Sequence, residues 1–282
     1  MILGGVNVFR VNFSHADYNN VSSRIKMIRK VDLKLNTNTA IMGDLQGPKL
    51  RIGEIKEGSF LKSGDRVIFS TEKPFIGNSK KAYMNYKNFP KDVSKGERIL
   101  LDDGKLIFEV ISTNKKHEVE AKVIQGGDFK SKKGVNLPNT NISLPALTKK
   151  DEEDALFAIE NHLDWIALSF VRTKKDVKQL QKLIEKHSEH KIPIIAKIEK
   201  PEAIENMNGI IKVADGIMVA RGDLGLEIPA EEVPLKQKLL VKRAKQARKP
   251  IIIATQMMES MIDSLTPSRA CLLYTSPSPR DS

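Results

Sequence analysis

The sequence predicts an α/β protein, a strand–helix alternation interrupted by an all-β module. Three observations carry this. After residue 146, apolar stretches such as "LDWIALSF", "IPIIAKIE" and "PIIIATQM" alternate with segments of helical period. Those stretches are apolar at consecutive positions, as strands of a parallel sheet covered on both faces must be. Between residues 48 and 145 the helical segments vanish, and short alternating strands follow one another between turn residues.

In chain order, residues 1–47 read as strand, helix, strand. "VNVFRVNF" is apolar and β-rich, Ser14 is a candidate cap for the helix marked by Val21, Ile25 and Ile28, and "TAIMGDL" is a second buried strand broken by "QGPKLR". Residues 48–145 offer "RIGEI", "RVIFS", "KLIFEVIS" and "HEVEAKVI" as strands, with turns at Ser63–Gly64–Asp65 and Asp102–Asp103–Gly104. In residues 146–270 the pairs Thr148/Asp151 and Thr173/Asp176 have capping-box spacing, and Val177, Leu180, Leu183 and Ile184 share one helical face. Pro201 opens another helix, and "DGIMVARG", "PLKQKLLVKRAKQAR" and "PIIIATQM" continue the alternation. The strand spacing fits a (β/α) barrel with an inserted β-domain. Residues 271–282, "CLLYTSPSPRDS", have no periodic apolar face and read as an aberrant, non-native tail.

Composition narrows the function. The 282 residues allow about two domains. Hydrophobic residues at 40% and charged residues at 29% are those of a soluble globular protein. A single cysteine, Cys271, excludes an internal disulfide framework and fits a reducing cytoplasm. No apolar run approaches the roughly 18 residues of a membrane span. Net charge is +12, and residues 48–145 hold 19 Lys/Arg against 12 Asp/Glu. Such a field attracts anions. Without aromatic–basic interleaving or a reading helix, nucleic acid is excluded and small phosphorylated substrates suit better.

In a parallel barrel, reactive groups gather where strands end. The first strand offers Arg10, Asn12 and Ser14 there, the second Asp44, and later ones Ser169, Lys197 with Glu199, Arg221 with Asp223, and Thr255. Glu199 and Asp223 are oxygen donors on adjacent strands, a donor set for Mg²⁺. Lys197 and Glu199, two apart, share a strand face, so the ammonium lies beside the metal as a clamp for a charged transition state. Gly222 and Gly225 suit a tight loop whose backbone approaches a ligand. Each feature alone has a plainer reading: an ion pair at a strand end, a turn, a helix cap. Their succession along strand ends favours a site. Gly104–Lys105 lacks the preceding glycine of a phosphate-binding loop, and no GxGxxG opens a helix.

The motifs "FRVNFSH", "GDLQGPKLR", "SKKGVNLP", "DWIALSFVR", "IIAKIE", "VARGDLGLEIP" and "IIIATQMMESM", in this order, resemble those of the pyruvate kinase family. The resemblance implies a (β/α)8 TIM barrel with an inserted all-β, barrel-like lid at 48–145, here incomplete, without the first and last barrel strands and the C-terminal domain. It implies phosphoryl transfer from phosphoenolpyruvate to ADP, giving pyruvate and ATP, with Mg²⁺ and K⁺ as cofactors, in a cytoplasmic homotetramer. Position by position it gives Glu199 and Asp223 to Mg²⁺, and Asn12, Ser14, Asp44 and the Leu45 carbonyl to K⁺. Lys197 then neutralises the phosphoryl group in flight and Arg10 holds the phosphate. Thr255 lies by the methylene carbon, the Gly222–Asp223 amides take the carboxylate, and His15, Arg51 and Lys133 approach the nucleotide. "DLQGPKLR" departs from the commoner "DTKGPEIR": Gln46 removes a positive charge. The alternatives are a Mg²⁺-dependent pyruvate aldolase-type barrel, and an inactive fragment or anion-binding scaffold.

Overall fold

A computed structural model describes residues 1–138 and 140–255; the expectation of an aberrant tail at 271–282 lies outside them. Six strands, Val8–Asn12, Ala40–Asp44, Trp165–Leu168, Ile194–Ile198, Gly216–Ala220 and Ile251–Ala254, form one sheet. All neighbours are parallel, and the order across the sheet is the order along the chain. Among the described residues the first and last strands do not pair, so the barrel wall is incomplete.

Alternation along the strands explains their two-sided apolar character. Ile41, Ile166, Ile194 and Ile217 pack into the large cluster that includes the surrounding helices. Their neighbours Met42, Ala167, Ile195 and Met218 make a small separate cluster on the opposite, inner face. Two residues further along three of these strands, on that inner face, stand Asp44, Ser169 and Lys197. The strand periodicity therefore lifts polar groups to the rim of a core that is apolar one layer below.

The inserted module has its own core, from Leu50 to Leu137, packed against Ile142 and Leu144. Its main sheet runs Val135–Asn136, Arg98–Leu101, Leu106–Thr113, Glu118–Gln125, Arg66–Ser70 and Lys81–Tyr83. All pairs are antiparallel except Arg66–Ser70 with Lys81–Tyr83. The turn at Asp102–Asp103–Gly104 has three successive left-handed residues, φ 53°, 56° and 81°. "RIGEI" is not a strand: Arg51, Ile52 and Ile55 each make one isolated bridge, to Gly134, Met84 and Gly77.

Both capping boxes form, at Thr148/Asp151 and Thr173/Asp176. Asp17, rather than Ser14, caps the Tyr18–Leu35 helix by accepting from the Asn19 N–H; Asn12 instead accepts from the Ser14 N–H and caps the short turn Phe13–His15. The "RGDLGLE" stretch is a seven-residue helix, Arg221–Glu227, not a tight loop, and neither Gly222 nor Gly225 takes the positive φ of a turn.

Gly43 sits where no side chain fits. A Cβ there would lie 2.8 Å from Phe13 Cε2 and 2.9 Å from Leu163 Cδ2. Gly43→Val should cost about 1–3 kcal/mol by overpacking, read as a lowered urea midpoint. An unchanged midpoint would show that Phe13 and Leu163 are free to move aside.

Candidate active site

The inner-face groups converge. Lys197 Nζ lies 3.0 Å from Asp44 Oδ1 and 3.0 Å from Glu199 Oε1, and donates to Ser169 Oγ at 2.7 Å. The Ser169 hydroxyl donates in turn to the Leu45 carbonyl, also at 2.7 Å. Asp44 Oδ2 receives Arg10 Nε at 2.6 Å. Glu199 Oε2 receives the Phe170 N–H at 2.7 Å. All these residues, with Asn12, Ser14 and Asp223, line one partly open cavity of about 90 Å³.

Three carboxylates, Asp44, Glu199 and Asp223, and three side-chain cations, Arg10, Lys49 and Lys197, line this cavity, with Lys49 exposed at its edge. Burial opposes charge on Lys197, but the carboxylates of Glu199 and Asp44 outweigh it and hold its pKa above the ordinary lysine value. Glu199 moves upward too. Burial drives the shift, the Lys197 ammonium opposes it, and the negative charge of Asp223 adds to it. One ammonium shared between two carboxylates satisfies itself better than it satisfies either of them.

Among the described residues no group of three or more His, Cys, Asp or Glu is placed to hold a metal. Glu199 and Asp223 line the cavity together and are oxygen donors of the kind a hard divalent ion takes. For a monovalent ion, Asp44 Oδ1 is a buried oxygen with no hydrogen-bond partner despite the nearby ammonium, and the Leu45 carbonyl lies beside it.

The other expected residues are placed differently. Thr255, at φ 65°, accepts the Gly222 N–H at 2.9 Å and donates to the Ala254 carbonyl. Neither Thr255 nor Gly222 is among the cavity's lining residues. Arg221 is buried and turned to the Ala254 and Thr255 carbonyls, so it ties two strand ends together rather than standing at the mouth. Lys133 pairs with Asp102 at 2.9 Å, and Arg51 donates to the Lys132 carbonyl; neither reaches this cavity. The His15 side chain lies outside the described atoms. Unanticipated from the sequence is Lys49, exposed, which lines the same cavity. Its signal was positional: it lies five residues past Asp44, on the loop leaving that strand.

A parallel barrel sheet with carboxylates, an ammonium and a guanidinium at its strand ends, beside an inserted β module, defines a (β/α)-barrel protein with a charged site at its strand ends. The family model described as pyruvate kinase, barrel domain, matches residues 1–274, and the chain belongs to the pyruvate kinase family. It is similar to a pyruvate kinase of Bacillus licheniformis, 46% identical over 268 residues, covering 94% of this chain and 46% of the relative. A Thermotoga maritima pyruvate kinase is 45% identical over 271 residues, covering 96% of this chain and 58% of the relative. The chain thus spans about half the length of the curated relatives it matches. No helix among the described residues is long and apolar enough to cross a membrane.

Removing the shared ammonium should expose the cost of burying Glu199. Lys197→Met leaves Glu199 buried without its cation, a change worth about 3–5 kcal/mol at neutral pH. Burial already holds the Glu199 carboxyl above its ordinary range, and loss of the opposing ammonium pushes it further up. Its contribution is favourable below the ordinary carboxylate range and is lost as pH rises through the raised value. The deficit, measured by urea unfolding, should be largest at pH 7 and shrink towards pH 5. A deficit that grows on acidification would contradict the assigned burial of Glu199.

Proposed function

We propose that this chain carries the barrel and lid of an enzyme that transfers the phosphoryl group of phosphoenolpyruvate to ADP. The observation that carries the proposal is the Lys197 ammonium, fixed 3.0 Å from both Asp44 and Glu199 in a cavity that Asp223 also lines.

The transfer breaks the bond between phosphorus and the enol oxygen and forms one to a β-phosphate oxygen of ADP. The enolate left behind takes a proton at its methylene carbon and becomes pyruvate. Positioning and charge neutralisation supply most of such catalysis. Arg10 has its Nε held by Asp44, which leaves the Nη groups as a pair of donors for a phosphate. Lys197 is the positive charge beside the phosphoryl group in flight, kept charged by its two carboxylates. Glu199 and Asp223 would hold Mg²⁺, which when bound supplies charge to bridge two anionic substrates. Thr255 would lie near the carbon that is protonated, and the Gly222–Asp223 backbone would meet the substrate carboxylate once the Gly222 N–H leaves Thr255. His15, Arg51 and Lys133 would approach the nucleotide when the lid moves. The same reading extends to a cytoplasmic homotetramer, which light scattering on the full-length protein checks.

A coupled assay of the full-length protein tests this. ATP formed from phosphoenolpyruvate and ADP in the presence of Mg²⁺ is expected. Retro-aldol cleavage without ATP would identify an aldolase, and metal-independent binding without turnover a scaffold. Lys197→Met should lower turnover by roughly three orders of magnitude while Mg²⁺ still binds; near-normal turnover would remove Lys197 from the chemistry.

For the monovalent ion, Asn12, Ser14, Asp44 and the Leu45 carbonyl would be the donors. Lys49 lines the same cavity, and its positive charge would compete with a bound cation. K⁺ activation is expected in the full-length protein and should therefore be stronger in Lys49→Glu. Equal K⁺ dependence of the two, measured at constant ionic strength, would separate Lys49 from the cation.

A further inference from the structure

Outside the reacting cluster, one buried carboxylate joins three parts of the molecule. Glu227 ends the Arg221–Glu227 helix, which carries Asp223 in its first turn. Its Oε1 receives Lys200 Nζ at 2.8 Å and Asn136 Nδ2 at 3.0 Å. Lys200 directly follows Glu199 and is itself buried. Asn136 belongs to the inserted module, as the last residue of Val135–Asn136. A single oxygen atom therefore ties the strand end bearing Glu199, the helix bearing Asp223 and the lid.

The site is not a saturated structural pair. Glu227 Oε2 is buried and has no hydrogen-bond partner. Glu227, Lys200 and Asn136 all line a cleft between lid and barrel, together with Asp103 and Asp223. A buried ion pair contributes little net stability, because desolvation offsets the attraction. What it does impose is geometry. With Asn136 docked, Glu227 is held from two sides and the helix is fixed relative to Glu199. With the lid lifted, the Asn136 donor leaves, Lys200 alone remains, and the Asp223 helix is less constrained.

We propose that Glu227, Lys200 and Asn136 form a positioning latch that sets the spacing of Glu199 and Asp223 according to whether the lid is docked. In naming those two carboxylates as the Mg²⁺ pair, the proposal rests on the kinase reading above. None of the three residues is assigned contact with the reacting atoms.

The test uses Asn136→Ala and Glu227→Gln in the full-length protein, with two readouts. The first is the Mg²⁺ concentration for half-maximal activity, set against kcat. Partners that orient metal ligands typically change metal affinity by 10–100-fold, so the midpoint should rise roughly tenfold in Asn136→Ala, with kcat at saturating Mg²⁺ falling much less. The second is hydrogen–deuterium exchange without substrate, which should rise together at 133–137 and at 221–227. A purely structural role would lower the melting temperature and leave the Mg²⁺ midpoint in place. An unchanged midpoint with unchanged exchange at 221–227 in Asn136→Ala overturns the latch. Asn136 is only partly buried, so that variant decides the matter even where Glu227→Gln fails to fold. The exchange readout needs no turnover. A natural protein without kinase activity would overturn the functional reading, while coupled exchange at the two segments would still support the latch.

Discussion

The site depends on one ammonium held between two buried carboxylates. Lys197 is placed by strand alternation, two residues beyond Ile195 on the inner face, and so reaches Asp44 on one strand and the Glu199 end of its own. Burial alone would discharge it, since desolvation disfavours the charged form. The carboxylates reverse that. In turn the ammonium eases the burial of Glu199 by opposing the upward push that burial gives its carboxyl, and Asp44 is held by both Lys197 and Arg10. The Ser169 bridge to the Leu45 carbonyl extends this constraint to the neighbouring strand.

Much of this was legible in the sequence. Strand ends are marked by the change from apolar runs to polar residues, and in a parallel barrel those ends must face one side. That reasoning collects Arg10, Asp44, Lys197, Glu199 and Asp223 without any contact map. Capping boxes were readable for the same local reason, because a hydroxyl and a carboxylate three residues apart satisfy adjacent orphan amides. What the sequence could not disclose was direction and tertiary competition. Arg221 stands at a strand end like the others, yet its long side chain finds the carbonyls of Ala254 and Thr255 and turns inward. Gly222 suits a loop by composition, yet it continues into a helix. Lys49 lies on a connecting segment, whose path over the cavity is set by packing on both sides of the chain crossing.

The return crossing from lid to barrel shows how such a segment is held. The return segment is gripped by Arg172, whose Nη1 and Nη2 donate to the Ile142 and Leu144 carbonyls at 2.5 Å each. Between them the Ser143 N–H is shared by Tyr86 and Asp92 of the lid. A segment held from both sides transmits a lid displacement to the barrel rather than absorbing it, which makes the Glu227 joint a second attachment rather than an isolated contact.

Charge on the molecule is arranged on two length scales. The inserted module supplies much of the net +12, a field that draws anions from a distance. The cavity beneath it is evenly matched, with Asp44, Glu199 and Asp223 against Arg10, Lys49 and Lys197. Screening over roughly 8–10 Å at physiological salt separates the two scales, so an approaching anion senses the module's field and a docked one senses the individual groups of the cavity. Those groups differ in depth: Lys197 is buried between Asp44 and Glu199, while Lys49 is exposed. The basic character of the module thus continues to the edge of the cavity and gives way to paired charges at its floor.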